Sequence, residues 1–127
     1  HGPQKRSQAV LLCDDDAMIL HALSRMLRDL GYDVTQARSL NEAWENWQSD
    51  SASLDLVISD VRLGKERGTE LARRVLGQRP DTRVVLMSGD LQSIDTRDPV
   101  WSKVTHLQKP FNRAALVAAL NGKGKKE

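Results

Sequence analysis

The chain has 127 residues, 39% hydrophobic and 28% charged, with a formal net charge of +2 at pH 7; this suits one globular domain with a single core. No apolar run approaches the roughly 20 residues of a membrane span and no signal-peptide pattern is present, while a single cysteine, Cys13, excludes an internal disulfide and suits the cytoplasm. The pI near 8.9 comes from the ends: without Lys5, Arg6, Lys123, Lys125, Lys126 and Glu127 the net charge becomes −2, so no direct nucleic-acid binding by this segment is expected.

His1-Gly2-Pro3 reads as a cleavage scar, and residues 1–7 as a disordered tag remnant ahead of a domain spanning 8–121. Ala9 to Cys13 is a continuous apolar run, expected of a strand covered on both faces. Asp16 stands at a helix N-cap, and Leu20, Leu23, Leu27 and Leu30 recur at helical spacing before Gly31 closes the helix. Tyr32 to Ala37 reads as a short strand. Ser39 and Glu42 form a capping box for a second helix, with Ala43, Trp44 and Trp47 on one side. Leu54 to Ser59 is a third strand ending at Asp60. A loop with Gly64 and Gly68 follows, then a helix with Leu71, Ala72, Val75 and Leu76 inward.

Arg83 to Met87 is a fourth strand, stopping at Ser88-Gly89. Between Gly89 and Val104 the helical pattern is weak, and Asp98-Pro99 is expected to interrupt it, leaving a short or displaced fourth helix. Thr105 to Gln108 is a fifth strand before Lys109-Pro110. Asn112 caps a last helix with Leu116, Val117 and Leu120, and residues 122–127 read as a basic tail or the start of a linker.

Five strands alternating with five helices imply an α/β fold, a doubly wound parallel sheet with right-handed crossovers. Such sheets bind ligands at the carboxyl ends of their strands. Here those ends deliver Asp14, Asp15 and Asp16, then Asp60, then Ser88, then Lys109 to one rim. Neighbouring carboxylates repel one another unless a cation is present, and oxygen donors without histidine or cysteine favour Mg2+. A carboxylate beside such an ion can attack phosphorus and form an acyl phosphate. A lysine and a hydroxyl would then stabilise the transferring oxygens. Singly each residue has an ordinary account, as a cap, a loop acid, a turn or a surface charge. Their joint arrival at successive strand ends is what carries the chemical reading.

CDDD at 13–16, SDVRL at 59–63, MSGD at 87–90 and QKPF at 108–111 resemble the receiver domains of two-component response regulators, such as the chemotaxis regulator. The resemblance covers residues 8–121. It implies the flavodoxin-like (βα)5 sheet with strand order 2-1-3-4-5 and makes Asp60 the phosphoacceptor, with Ser88 and Lys109 assisting. It further implies that Asp14, Asp15, Asp60 and the Arg62 backbone carbonyl hold Mg2+, and that Ser88 and His106 form the switch. The implied partners are a histidine kinase or phosphotransfer protein as donor, and an output domain or a second copy as recipient. The chain is then a signalling domain rather than an enzyme. The Ser88-Gly89 pair and LQKPF are similar to receivers attached to hybrid histidine kinases. Gly64, Arg67 and His106 depart from the usual pattern, which often has proline, aspartate and an aromatic there.

Arg62 and Asp90 each lie two residues past a rim residue, on adjacent loops, and an ion pair between them would gate water from the acyl phosphate. Cys13, Trp44 and Trp47 read as packing residues and His21 as a surface histidine. A competing reading takes Asp14-x-Asp16 as the opening of a Mg2+-dependent aspartyl-phosphate phosphatase. Met18 then stands where threonine is required, and no acidic pair follows Lys109. A receiver that is never phosphorylated and acts as a binding module is another class, against which the intact rim argues. A flavin-binding domain would need a hydroxyl- and glycine-rich loop after the first strand.

Overall fold

The computed structural model describes residues 8–90, 92 and 94–122, so the cleavage scar and most of the basic tail lie outside the described residues. The elements run β1 (Gln8–Cys13), α1 (Ala17–Asp29), β2 (Tyr32–Ala37), α2 (Leu40–Asp50), β3 (Leu56–Asp60), a small hairpin of β4 (Arg62–Leu63) and β5 (Glu66–Arg67), and α3 (Gly68–Gln78). Then come β6 (Arg83–Ser88), a 3-10 turn (Pro99–Lys103), β7 (Thr105–Gln108) and α4 (Arg113–Leu120). Five parallel strands form one sheet in the order β2-β1-β3-β6-β7. This is the expected order once the two-residue hairpin strands are set aside.

Side chains alternate across a strand, so runs such as Val10-Leu11-Leu12 feed both faces of the sheet. Leu11, Val57 and Leu86 pack with Trp47 of α2 and with Leu71 and Val75 of α3. Val10, Leu12, Ile58 and Met87 pack with Leu20, Leu23 and Leu27 of α1 and Leu116 of α4. Asp16 caps α1 by accepting from the Met18 and Ile19 amides, and Ser39 caps α2 through the Glu42 amide. Among the described residues, no helix is long and apolar enough to cross a membrane.

Four expectations change. The third strand starts at Leu56 and includes Asp60. Gly68 belongs to α3, not to a loop, and its amide donates to Val61 O at 2.7 Å. The hairpin β4–β5 fills the segment read as loop. The short, displaced fourth helix is present as a 3-10 turn, which leaves four α-helices among the described residues, and the change lies in the part Asp98-Pro99 plays. Asp98-Pro99 opens that turn instead of breaking a helix. Pro99 occupies a first-turn position where no N–H is needed, and Asp98 accepts from the Val100 amide at 3.0 Å.

One polar clamp ties α2 to α3 beneath the sheet. Trp47 is fully buried, its Nε1 donates to Gln78 Oε1 at 2.9 Å, and the Arg79 guanidinium lies 5.2 Å from its ring centroid. Arg79 also donates to Leu54 O at 2.6 Å and to Ser51 O. Trp44 is only half-buried, with the Arg74 guanidinium 5.6 Å from its ring. His21 is exposed on α1.

Candidate functional site

Strand register brings the rim together. Asp60 pairs with Met87 and Ser88 with Gln108, while the Asp14 amide donates to Ala37 O and the Lys109 amide to Ser88 O. Asp14, Asp60, Ser88 and Lys109 therefore leave neighbouring strands at one level. A cleft of about 270 Å3 beside the last three is lined by Asp60, Arg62, Ser88, Asp90 and Lys109, with Val61 and Gly89 completing it.

Lys109 Nζ bridges the two inner carboxylates, bonding Asp60 Oδ2 and lying 3.4 Å from Asp14 Oδ2. Burial opposes the ammonium, but the Asp60 hydrogen bond and the charges of Asp14 and Asp60 outweigh it and hold Lys109 above the ordinary lysine pKa. Asp14 is buried, and burial pushes its carboxyl up from the ordinary value; the Asp16 amide at 2.9 Å and Lys109 offset this only partly. Asp60 Oδ1 accepts from the Arg62 amide at 2.8 Å, which fixes the plane of the carboxylate.

Asp15 is turned elsewhere: it is exposed, and its Oδ2 accepts from the Gly64 amide at 2.9 Å. Gly64 has φ +65°, a conformation in which glycine is unstrained, so this departure from the usual loop residue has a local use. Among the described residues, no three histidine, cysteine or acidic side chains are grouped to hold a metal ion. The donor chemistry nevertheless fits a hard divalent cation: the inner acids present only oxygen, and a single lysine bridges them.

Ser88 is buried, and its Oγ lies 3.0 Å from His106 Nε2. The His106 ring meets Trp101 edge-on with centroids 5.7 Å apart, a contact that sequence spacing did not reveal. Arg62 Nη2 and Asp90 Oδ2 are 3.8 Å apart and both side chains are largely exposed. Gly68 is a positional requirement that sequence reading missed. A Cβ there would run into the Asp60 carbonyl oxygen and sit 2.9 Å from Ser59 Oγ.

The raised Asp14 pKa carries a stability prediction. A carboxyl with a higher pKa folded than unfolded loses stability as pH rises through the interval between the two values. Asp14→Asn should therefore raise the melting temperature of the metal-free chain at neutral pH. The gain should vanish below the ordinary value of 3.8, where both forms are neutral. Melting curves at pH 7 and at low pH would check it, and an equal gain at both would remove ionisation as the cause.

Solved structures share this fold, and curated relatives resemble the chain in sequence. The chain is 31% identical over 112 residues to the DNA-binding transcriptional regulator NtrC of Azospirillum brasilense, covering 87% of this chain and 23% of that protein. It is 30% identical over 115 residues to the sensor kinase CckA of Brucella abortus, covering 90% of this chain and 12% of that protein. The chain thus spans less than a quarter of the length of either. The chemotaxis protein CheY4 of Vibrio cholerae superposes with a TM-score of 0.79 at 27% identity, covering 92% of this chain and 98% of that one. Residues 10–121 match the model of the response regulator receiver domain. This chain belongs to the response regulator receiver domain family.

Proposed function

We propose that the chain is a phosphoacceptor that takes a phosphoryl group from a phosphohistidine of a histidine kinase or phosphotransfer protein onto Asp60. The observation that carries this reading is the Lys109 bridge between Asp14 and Asp60 at the mouth of a cleft that Ser88 also lines. An Asp60 carboxylate oxygen attacks phosphorus; the O–P bond forms as the P–N bond breaks, and the imidazole of the donor leaves. The Arg62 amide holds the other Asp60 oxygen, so the attacking one is presented in a fixed direction. Lys109 is placed to neutralise a phosphoryl oxygen, and the Ser88 hydroxyl to donate to another. Asp14, Asp60 and the Arg62 carbonyl would hold Mg2+, and Asp15 would join them by turning its carboxylate from the Gly64 amide. Bound there, Mg2+ would neutralise charge on the phosphoryl oxygens.

In this reading residues 8–121 are the receiver unit, flanked by residues 1–7 and 122–127, and act in the cytoplasm. Phosphorylation shifts Ser88 and His106 and is read by an output domain or a second copy. Incubation with a small phosphodonor and Mg2+ should add one base-labile phosphoryl group per chain by intact mass. No added mass, with or without Mg2+, would overturn the proposal.

The Arg62–Asp90 pair flanks the same cleft and bears on how long the phosphoryl group survives. An exposed pair contributes only about 0–1 kcal/mol, so its effect is on access of in-line water rather than on stability. Arg62→Ala and Asp90→Ala should each speed dephosphorylation several-fold, on the scale of tenfold per about 1.4 kcal/mol of barrier. The double variant should add little, since both residues form one gate. Unchanged rates in both single variants would rule the gate out.

A further inference from the structure

Ser88 and His106 are joined by a hydrogen bond whose direction is decided by one proton. The serine hydroxyl has a single hydrogen to give. If His106 Nε2 carries no proton, Ser88 donates to it, and that hydrogen is unavailable to anything in the cleft. If Nε2 is protonated, it donates to Ser88 Oγ, and the hydroxyl hydrogen is free to turn toward Asp60, which shares the cleft with Ser88.

We propose that His106 is a positioning residue acting through Ser88: the neutral ring, carrying its proton on Nδ1, withholds the hydroxyl from the phosphoryl group, and the charged ring releases it. This rests on Asp60 being the phosphoacceptor. A tyrosine or phenylalanine at this position could not supply a nitrogen that changes from acceptor to donor near neutral pH, so the device is specific to the histidine.

The surroundings suit it. His106 is half-buried, and Trp101 packs edge-on against the ring. The ionisable groups on the elements around it are Asp98 capping the 3-10 turn and Lys103 at its end, Glu70, Arg73 and Arg74 on α3, Arg83 at the start of β6 and Lys109 beyond β7. Asp98 is bonded by Arg73 at 2.7 Å, and Glu70 by Arg74 at 3.0 Å. Burial is the one cause of the lowering of the His106 pKa below 6.5, so the ring rests neutral at pH 7.

Linkage then runs both ways. A phosphoryl group that engages the Ser88 hydroxyl leaves Oγ free to accept from Nε2–H, which favours the charged ring. Activation therefore raises the His106 pKa, and acidification through the interval between the two values favours the activated form.

The test is heteronuclear NMR of the His106 ring in the full chain, free and with beryllofluoride and Mg2+, titrated from pH 5 to 8. In the free protein above its pKa, the nitrogen shifts should show Nδ1 protonated and Nε2 bare. With beryllofluoride, the pKa should rise by roughly half a pH unit or more, the scale of a nearby opposite charge. The exposed ring of His21 serves as the reference for effects unconnected with Ser88. A free protein with the proton on Nε2, or a His106 pKa unchanged while Asp60 resonances report bound beryllofluoride, overturns this inference and leaves Asp60 as acceptor. Absence of beryllofluoride binding at Asp60 overturns both.

Discussion

Asp60→Asn should take up no phosphoryl group from a small donor in the presence of Mg2+, whereas Asp14→Asn should still be labelled, more slowly. The amide keeps the size and the Arg62 hydrogen bond of Asp60 but loses the anionic oxygen, and without a nucleophile no acyl phosphate forms. Asp14 presents its carboxylate to Lys109 and to the Asp16 amide, so its replacement weakens the site without removing the attacking atom. The phosphatase alternative predicts the reverse, since it makes Asp14 the nucleophile. Intact-mass measurement of both variants after equal exposure distinguishes the two, and labelling that survives in Asp60→Asn but not in Asp14→Asn would refute the receiver chemistry.

Trp47→Ala is expected to lower stability by about 3–5 kcal/mol, the usual range for emptying a buried indole site. That is a large share of the roughly 5–15 kcal/mol that holds a domain together. The loss is more than volume. Gln78 loses its donor and the Arg79 guanidinium loses the ring it lies on, although Arg79 keeps its carbonyl partners at Ser51 and Leu54. Trp44→Ala, on the same helix but half-buried, should cost clearly less. Urea denaturation of the two variants checks the ordering, and equal midpoints would show that the clamp contributes nothing beyond surface packing.

The rim was legible because a parallel sheet constrains it strongly. Once β1, β3 and β6 are recognised as apolar runs and β7 as a short strand, the residues at their carboxyl ends must meet at one edge, and Asp14, Asp60, Ser88 and Lys109 do so. Elements too short for a period stayed hidden. Each strand of the β4–β5 hairpin has two residues, and the 3-10 turn has five, fewer than two helical turns. Asp98-Pro99 misled for a definable reason: the same dipeptide that disfavours continuing a helix is well suited to starting a turn. Side-chain reach was equally invisible. His106 pairs across the sheet with Leu86 rather than Ser88, so its bond to Ser88 depends on where the ring points. The Asp15–Gly64 bond spans 49 positions of sequence and depends on how the hairpin folds back.

Gly68 has a meaning for anyone who would rebuild this chain. The hairpin between Val61 and Gly68 has Gly64 to Arg67 at its exposed outer end, and it offers room for grafted sequence. Its landing point has none, because position 68 rests against the Asp60 carbonyl. The loop is therefore an editable cassette with one fixed end. Diversity introduced at Lys65, Glu66 and Arg67 changes what the domain displays beside its cleft, while a side chain at 68 changes where the acceptor itself stands.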